Sequence, residues 1–135
     1  MTNPETGSKM KPGDEIQTFT KKVYVFSHPD ARNVIHEDEY AKKSGLKGAL
    51  VEGSKLISQA LQMLYNHFGA NWFEHGKINV SYIGGGAVNG DELTAHGRIT
   101  ESIKQTNGIQ QNLEIWVENQ NQEKVVVGAA SCLLS

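Results

Sequence analysis

Gly53-Ser54-Lys55-Leu56-Ile57-Ser58-Gln59-Ala60-Leu61-Gln62-Met63-Leu64-Tyr65-Asn66-His67-Phe68 is the most strongly patterned stretch of the chain. Leu56, Ile57, Ala60, Leu61, Leu64, Tyr65 and Phe68 recur at spacings of three and four, the repeat of a single helix face. The pattern predicts one α-helix over 53–68, about 24 Å long at 1.5 Å per residue, with Gly69 as its stop. The face made by Leu56, Ile57, Ala60 and Leu64 is too wide to leave in water, and a sheet is its simplest cover.

Sheet signals follow the helix. Ile78, Val80 and Tyr82 alternate, Gly84-Gly85-Gly86 interrupts, and Asn89-Gly90-Asp91 turns. Leu93–Thr100 reads as a strand. Leu113, Ile115 and Val117 alternate, Asn119-Gln120-Asn121-Gln122 turns, and Val125, Val127, Ala129 and Ser131 return, a hairpin pattern. The apolar C-terminal run VVVGAASCLL is too short to span a membrane and reads as a buried strand.

Upstream, residues 1–11 are polar and read as a flexible tail. Lys11-Pro12-Gly13-Asp14 is a turn signal, after which Ile16, Thr18 and Thr20 can begin a strand. Val23-Tyr24-Val25-Phe26 is again strand-like, and His28-Pro29-Asp30 breaks it. A short helix is expected around Glu37–Lys43, with Gly45 near its stop. The order is strand, short helix, long helix, then three or four strands: an α+β domain over 12–135, one long helix wrapped by antiparallel sheet. Such a sheet covers its helix on one face only, so its free face or edge should recruit a second copy.

The 135 residues carry 13 Lys+Arg against 15 Asp+Glu, a formal charge of −2, which argues against holding nucleic acid or an anionic membrane by bulk charge. One cysteine, Cys132, excludes an intramolecular disulfide and a multi-cysteine zinc site. The first thirty residues hold no apolar run suited to a signal peptide, and a cytoplasmic protein is expected. Standard site motifs fail. His36-Glu37-Asp38-Glu39-Tyr40 lacks the second histidine of a zinc-protease helix, and the triple glycine is not followed by Gly-Lys-Ser/Thr. There is no Gly-x-Ser-x-Gly elbow, and no metal site is expected.

Read singly, His36 is the best candidate base, because an imidazole titrates near neutrality. Asp30, Glu37, Asp38 and Glu52 are the carboxylates available to it. Gly53 would open the helix, where the first N–H groups lack internal acceptors and glycine lets a ligand approach the backbone. Glu52 at that helix start is either a dipole-complementing carboxylate or a site acid. Trp72 and Phe73, just beyond the helix, read as acyl-pocket lining or as core and dimer contacts.

Taken in order, Asn33-Val34-Ile35-His36-Glu37-Asp38-Glu39-Tyr40-Ala41, Gly45–Gly53, Gly76-Lys77-Ile78-Asn79-Val80-Ser81-Tyr82 and Gly90-Asp91-Glu92-Leu93 resemble the MaoC-like dehydratases, which include the (R)-specific enoyl-CoA hydratases. The resemblance covers roughly residues 12–131 and implies a hot-dog fold, in which the long helix is the sausage. It also implies a thioester substrate on coenzyme A or acyl carrier protein, a site at a dimer interface, and no metal or redox cofactor. In that family a histidine and an aspartate five residues earlier activate water, and the N–H of the glycine opening the helix polarises the thioester carbonyl. His36, Gly53 and Asn33 match the histidine, the glycine and the family's asparagine. Ala31 stands where the aspartate is expected, beside Asp30; Val34 replaces a proline, and Glu52 replaces the histidine before the helical glycine. The implied function is hydration of a 2-enoyl thioester or the reverse dehydration. His36 and a carboxylate (Asp30 or Glu52) would be catalytic, with Gly53, Asn33 and Trp72 at the substrate. The alternatives are a non-catalytic thioester-binding subunit, paired with itself or a related hot-dog partner, and a thioesterase using Glu52.

Overall fold

The computed structural model describes residues 9–25 and 50–135. Along them run β1 (Phe19–Lys22), α1 (Gly53–Phe68), α2 (Asn71–His75), β2 (Lys77–Tyr82), β3 (Glu92–Gln105), β4 (Gly108–Glu118) and β5 (Lys124–Leu134). The strands form one five-stranded sheet in the order β1-β3-β4-β5-β2, every neighbouring pair antiparallel. Four strands follow the long helix, where three or four are expected, and β1 and β2 are the edges of the described sheet.

Two hairpins build the centre. β3 and β4 pair from Thr94↔Glu118 to Gln105↔Gly108, with a register shift between Ile99 and Glu101. β4 and β5 are joined by a turn in which the Asn119 side-chain oxygen accepts the N–H groups of Asn121 (2.9 Å) and Glu123 (3.1 Å), the side-chain-to-backbone bonding that makes asparagine a turn former. Side chains alternate across these strands. Leu93, Ala95 and Ile99 of β3, and Leu113, Ile115 and Val117 of β4, are buried on the face that receives α1. At Gly97 an added Cβ would lie 3.1 Å from Ile16 and 3.3 Å from Met63, so the sheet is thinned where those side chains press on it.

α1 begins and ends where the periodicity places it, and Gly69 turns the chain at φ 63°. Its buried face is Leu56, Gln59, Ala60, Met63, Leu64, His67 and Phe68. Ile57, expected on that face, is only half-buried. The contact line follows 56, 60, 63, 64 and 67, and Ile57 flanks it while Gln59 and His67 are drawn inside. Burying an aliphatic or aromatic side chain of this kind contributes about 1.5–3 kcal/mol, so the helix is held mainly by its face. Among the described residues no helix is long and apolar enough to cross a membrane.

The N-terminal strand differs from expectation. β1 occupies Phe19–Lys22, overlapping the first expected run at Thr20 and ending before the second, because that segment pairs with β3 at Phe19↔Ala95 through Lys22↔Glu92. Val23 and Val25 leave the ladder and close the 88–91 turn instead. Val23 N–H donates to Asp91 O (2.9 Å), Gly90 N–H donates to Val23 O (2.8 Å), and Val25 N–H donates to the Asn89 side chain (2.8 Å). Phe26, the helix expected around Glu37–Lys43 and Gly45 lie outside the described residues.

Candidate functional site

The head of α1 is held in place from the sheet side. Val51 N–H donates to Ala87 O at 2.8 Å and Leu50 bridges Val88, so the segment entering the helix runs antiparallel to residues 87–88. Glu52 is the N-cap in extended conformation (φ −61°, ψ 143°), and its carbonyl accepts Lys55 N–H (2.9 Å) and Leu56 N–H (3.3 Å). No side chain caps the helix, and among the described residues neither Gly53 N–H nor Ser54 N–H has an acceptor. Among the described residues two backbone donors therefore have no acceptor at the positive end of a helix, the arrangement that holds an anion or a polarised carbonyl oxygen.

Gly53 is also crowded by its neighbour. The Tyr82 hydroxyl, at the end of β2, donates to Gly53 O at 3.1 Å. A Cβ at position 53 would lie 3.3 Å from the Tyr82 ring. The ring thus fixes the first turn of α1 against the sheet edge, and only a residue without a side chain fits beneath it without displacement.

Beside this point lies a cleft of about 260 Å³ bounded by Leu50, the Gly84–Gly86 loop, Asp91, Gln120 and Lys124. Gly84 (φ 66°) and Gly86 (φ 73°) adopt the left-handed conformation that glycine takes without strain. Asp91, nearly buried, accepts Val88 N–H (2.9 Å) on one oxygen and the Gln120 amide (3.0 Å) on the other. Gln120 in turn accepts Glu92 N–H at 3.0 Å, so the 88–92 loop and the β4–β5 turn are tied together. Asp91 acts here as a scaffold, with both carboxylate oxygens engaged.

Of the residues singled out in the sequence, Glu52 and Gly53 meet at the helix head, Glu52 exposed to solvent. Trp72 does not join them. It sits in α2 beyond the far end of α1, stacks on Phe68 with ring centroids 6.0 Å apart, and packs against the core. Gly76 folds so closely over it that an added Cβ would come within 2.5 Å of the indole. Trp72 is therefore core packing rather than part of the Gly53 site, because the length of α1 separates them. Asp30, Asn33 and His36 lie outside the described residues.

The Tyr82–Gly53 contact has no signal in the sequence, because the two residues are 29 positions apart and nothing local marks the pairing. Asp91 carries a signal, the Gly-Asp pair after a turn. His67, on the sheet-facing side of α1, is buried with its Nε2 2.8 Å from the Gln111 side-chain oxygen. Burial holds its pKa below the ordinary histidine value, with the Gln111 hydrogen bond opposing in part.

No protein-family model matches the chain, and no curated protein matches it in sequence. Solved structures do match it. The (R)-hydratase of A. caviae involved in PHA biosynthesis superposes with a TM-score of 0.72 at 16% identity, covering 94% of this chain and 98% of that one. A MaoC-like dehydratase from Rhodospirillum rubrum gives a TM-score of 0.67 at 17% identity, covering 92% of each chain. A chain of the ChsH1–ChsH2 complex from Mycobacterium tuberculosis gives 0.67 at 13% identity, covering 92% of this chain and 98% of that one. A central helix wrapped by antiparallel strands in the order β1-β3-β4-β5-β2 is thus the hot-dog fold, shared with (R)-hydratase and MaoC-like dehydratase structures.

Proposed function

We propose that this protein hydrates a 2-enoyl thioester, or dehydrates the corresponding 3-hydroxyacyl thioester. The observation that carries the reading is the pair of open N–H donors at Gly53 and Ser54, fixed by Tyr82 and by the 51–87 hydrogen bond. The hot-dog neighbours named as an (R)-hydratase and a MaoC-like dehydratase support it.

In the forward direction water adds its oxygen to C3 while the electrons of the double bond move toward the thioester carbonyl. The enolate oxygen so formed is held by the Gly53 N–H, a stabilisation realised most strongly as the charge develops. Proton return to C2 completes the addition. His36 takes the proton from water as general base, assisted by Asp30 or Glu52, and Asn33 contributes to substrate binding. The thioester acidifies its own α-carbon, so no metal or redox cofactor is invoked. The chain acts as a homodimer, or with a related hot-dog subunit, through the unpaired edge of β2 (Lys77–Tyr82). One matching chain belongs to the ChsH1–ChsH2 complex, which supports that assembly.

Ala31 favours a second reading, a thioester-binding subunit without turnover. The test is the hydration of crotonyl-CoA, followed by loss of the conjugated double bond. His36→Ala should lower the rate at least about 10²-fold, and Asp30→Asn or Glu52→Gln identifies the assisting carboxylate. An inactive wild type with an Ala31→Asp variant that gains His36-dependent activity establishes the binding subunit. Unchanged rates in all three substitutions of His36, Asp30 and Glu52 refute the site.

A further inference from the structure

The chain holds two Asn-Gly pairs, Asn89-Gly90 and Asn107-Gly108. We infer that the second is a site of spontaneous covalent modification, where Asn107 deamidates to aspartate and isoaspartate, and that the fold exposes this pair while protecting the other. The inference is independent of the thioester reading.

The chemistry belongs to the residue pair. The glycine backbone nitrogen attacks the side-chain carbonyl carbon of the asparagine and gives up its proton. The bond from that carbon to the amide nitrogen breaks, and ammonia leaves. Water then opens the resulting succinimide at either carbonyl. Opening at the side-chain carbonyl leaves aspartate. Opening at the backbone carbonyl leaves isoaspartate, whose main chain runs through Cβ and is longer by that atom. One water enters, one ammonia leaves, and the chain gains a negative charge. A side chain on the following residue would obstruct the attack, so glycine is the most permissive successor.

At position 108 the fold demands glycine. Thr106 and Asn107 make the turn between β3 and β4, closed by the pair Gln105↔Gly108. Gly108 has φ 147°, a conformation that side chains rarely adopt, and an added Cβ would collide with Leu134 O. The residue that lets the hairpin pack on the end of β5 is thus the residue that leaves Asn107 open to attack. Asn107 is exposed, and among the described residues its side chain forms no hydrogen bond. It lines a concavity of about 360 Å³ together with Lys77, whose ammonium favours the carboxylate that deamidation creates.

The same pair at Asn89-Gly90 is held differently. Asn89 is half-buried, its side-chain oxygen accepts Val25 N–H at 2.8 Å, and Gly90 N–H donates to Val23 O at 2.8 Å. The carboxamide and the attacking nitrogen are therefore both engaged. Asp91 adds bonds from Val88 N–H (2.9 Å) and the Gln120 amide (3.0 Å). Attack here requires the 88–91 turn to open, whereas at Asn107 it requires only fraying of the last rung of a hairpin.

Isoaspartate has a structural consequence that aspartate lacks. Its longer main chain displaces Gly108, which lies against Leu134 and Ser135, and Ile109 next to it pairs with Leu134. The disturbance falls on the C-terminal end of β5.

Proteolytic mapping by mass spectrometry, on the full chain held at neutral pH and physiological temperature, tests this. In the native chain Asn107 should convert at least about tenfold faster than Asn89. In guanidinium the two should convert within about twofold of each other, because only the fold distinguishes them. Equal native rates, or a native Asn107 that stays intact while the unfolded chain converts, overturn the inference. Isoelectric focusing gives a second readout: the ageing wild type should acquire acidic species that Asn107→Gln does not form, and their persistence in that variant overturns the assignment. Carboxypeptidase should release Leu134 and Ser135 faster from the isoaspartate fraction than from Asn107→Asp, which carries the charge without the longer main chain. Equal release overturns the link to β5.

Discussion

Replacing Leu64 by alanine tests the architecture at its centre. Leu64 has no exposed surface and lies on the line of α1 that meets the sheet, in one cluster with Leu93, Leu113 and Ile115. Leu→Ala at buried sites costs about 2.7–5.0 kcal/mol, rising by about 24 cal/mol for each Å³ of cavity left behind. Here the opposing wall is a hydrogen-bonded sheet, which cannot collapse onto the void as a loop could, so a cost of about 3–4 kcal/mol is expected. For a chain of this size each kcal/mol moves the melting temperature by about 3–5 °C, giving a drop of roughly 9–20 °C. Urea unfolding followed by tryptophan fluorescence measures the same quantity, and the midpoint should fall with the slope unchanged. Protomer concentration must be fixed, since an oligomer's apparent stability varies with it. Leu61→Ala, at a half-buried position of the same helix, should cost clearly less. A loss below about 1 kcal/mol at Leu64, or equal losses at both positions, would mean that the sheet does not cover this face of α1.

His67 gives a pH signature. Its folded pKa lies below the unfolded value of about 6.5, so the stability tied to its neutral form is fully present above that value and is lost as pH falls toward the folded pKa. The wild type should therefore lose more stability than His67→Gln between neutral and mildly acid pH, by denaturant titration at each pH; identical pH profiles would contradict the assignment. Cys132 is fully buried, its thiol raised by burial to about 11 and directed at Asn71 O (3.3 Å). An alkylating reagent should modify the native chain at least about 10²-fold more slowly than the urea-unfolded chain, and rapid native labelling would show that β5 opens at that position.

Much of the fold could be read from the sequence because periodicity carries it. The 53–68 helix, its Gly69 stop and the alternating strands around Leu113 and Val127 all have local signals. Local signals fail where pairing decides. β1 sits at Phe19–Lys22, taking in Thr20 of the first expected run and none of the Val23–Phe26 run, because β3 offers it a ladder there, and β3 itself runs on through the polar Glu101–Gln105 because β4 pairs with it. The candidate site divides along the same line. Gly53 could be found from its place before the helix, whereas Tyr82 meets it through a contact of 29 residues' separation. Trp72, read from its nearness to the helix end as pocket lining or core contact, packs on Phe68 at the end of α1 away from Gly53.

The two ends of α1 are built on different terms. At the C-terminus Gly69 N–H donates to Tyr65 O at 2.7 Å, and the last buried side chains seal the turn against the core. At the N-terminus the choices run against helix stability. Glu52 forms no side-chain cap, Gly53 occupies the first position, and Lys55 places a cation at the positive end of the dipole. A missing cap costs about 0.5–2 kcal/mol, a helical glycine up to about 1, and a misplaced charge about 0.3–1. Burial of Leu56, Met63, Leu64 and Phe68, at about 1.5–3 kcal/mol each, exceeds that sum. The helix is therefore secured by its face and does not depend on its first turn. That leaves the first turn with two backbone N–H donors that have no acceptor among the described residues, at a point where the helix gives up local stability.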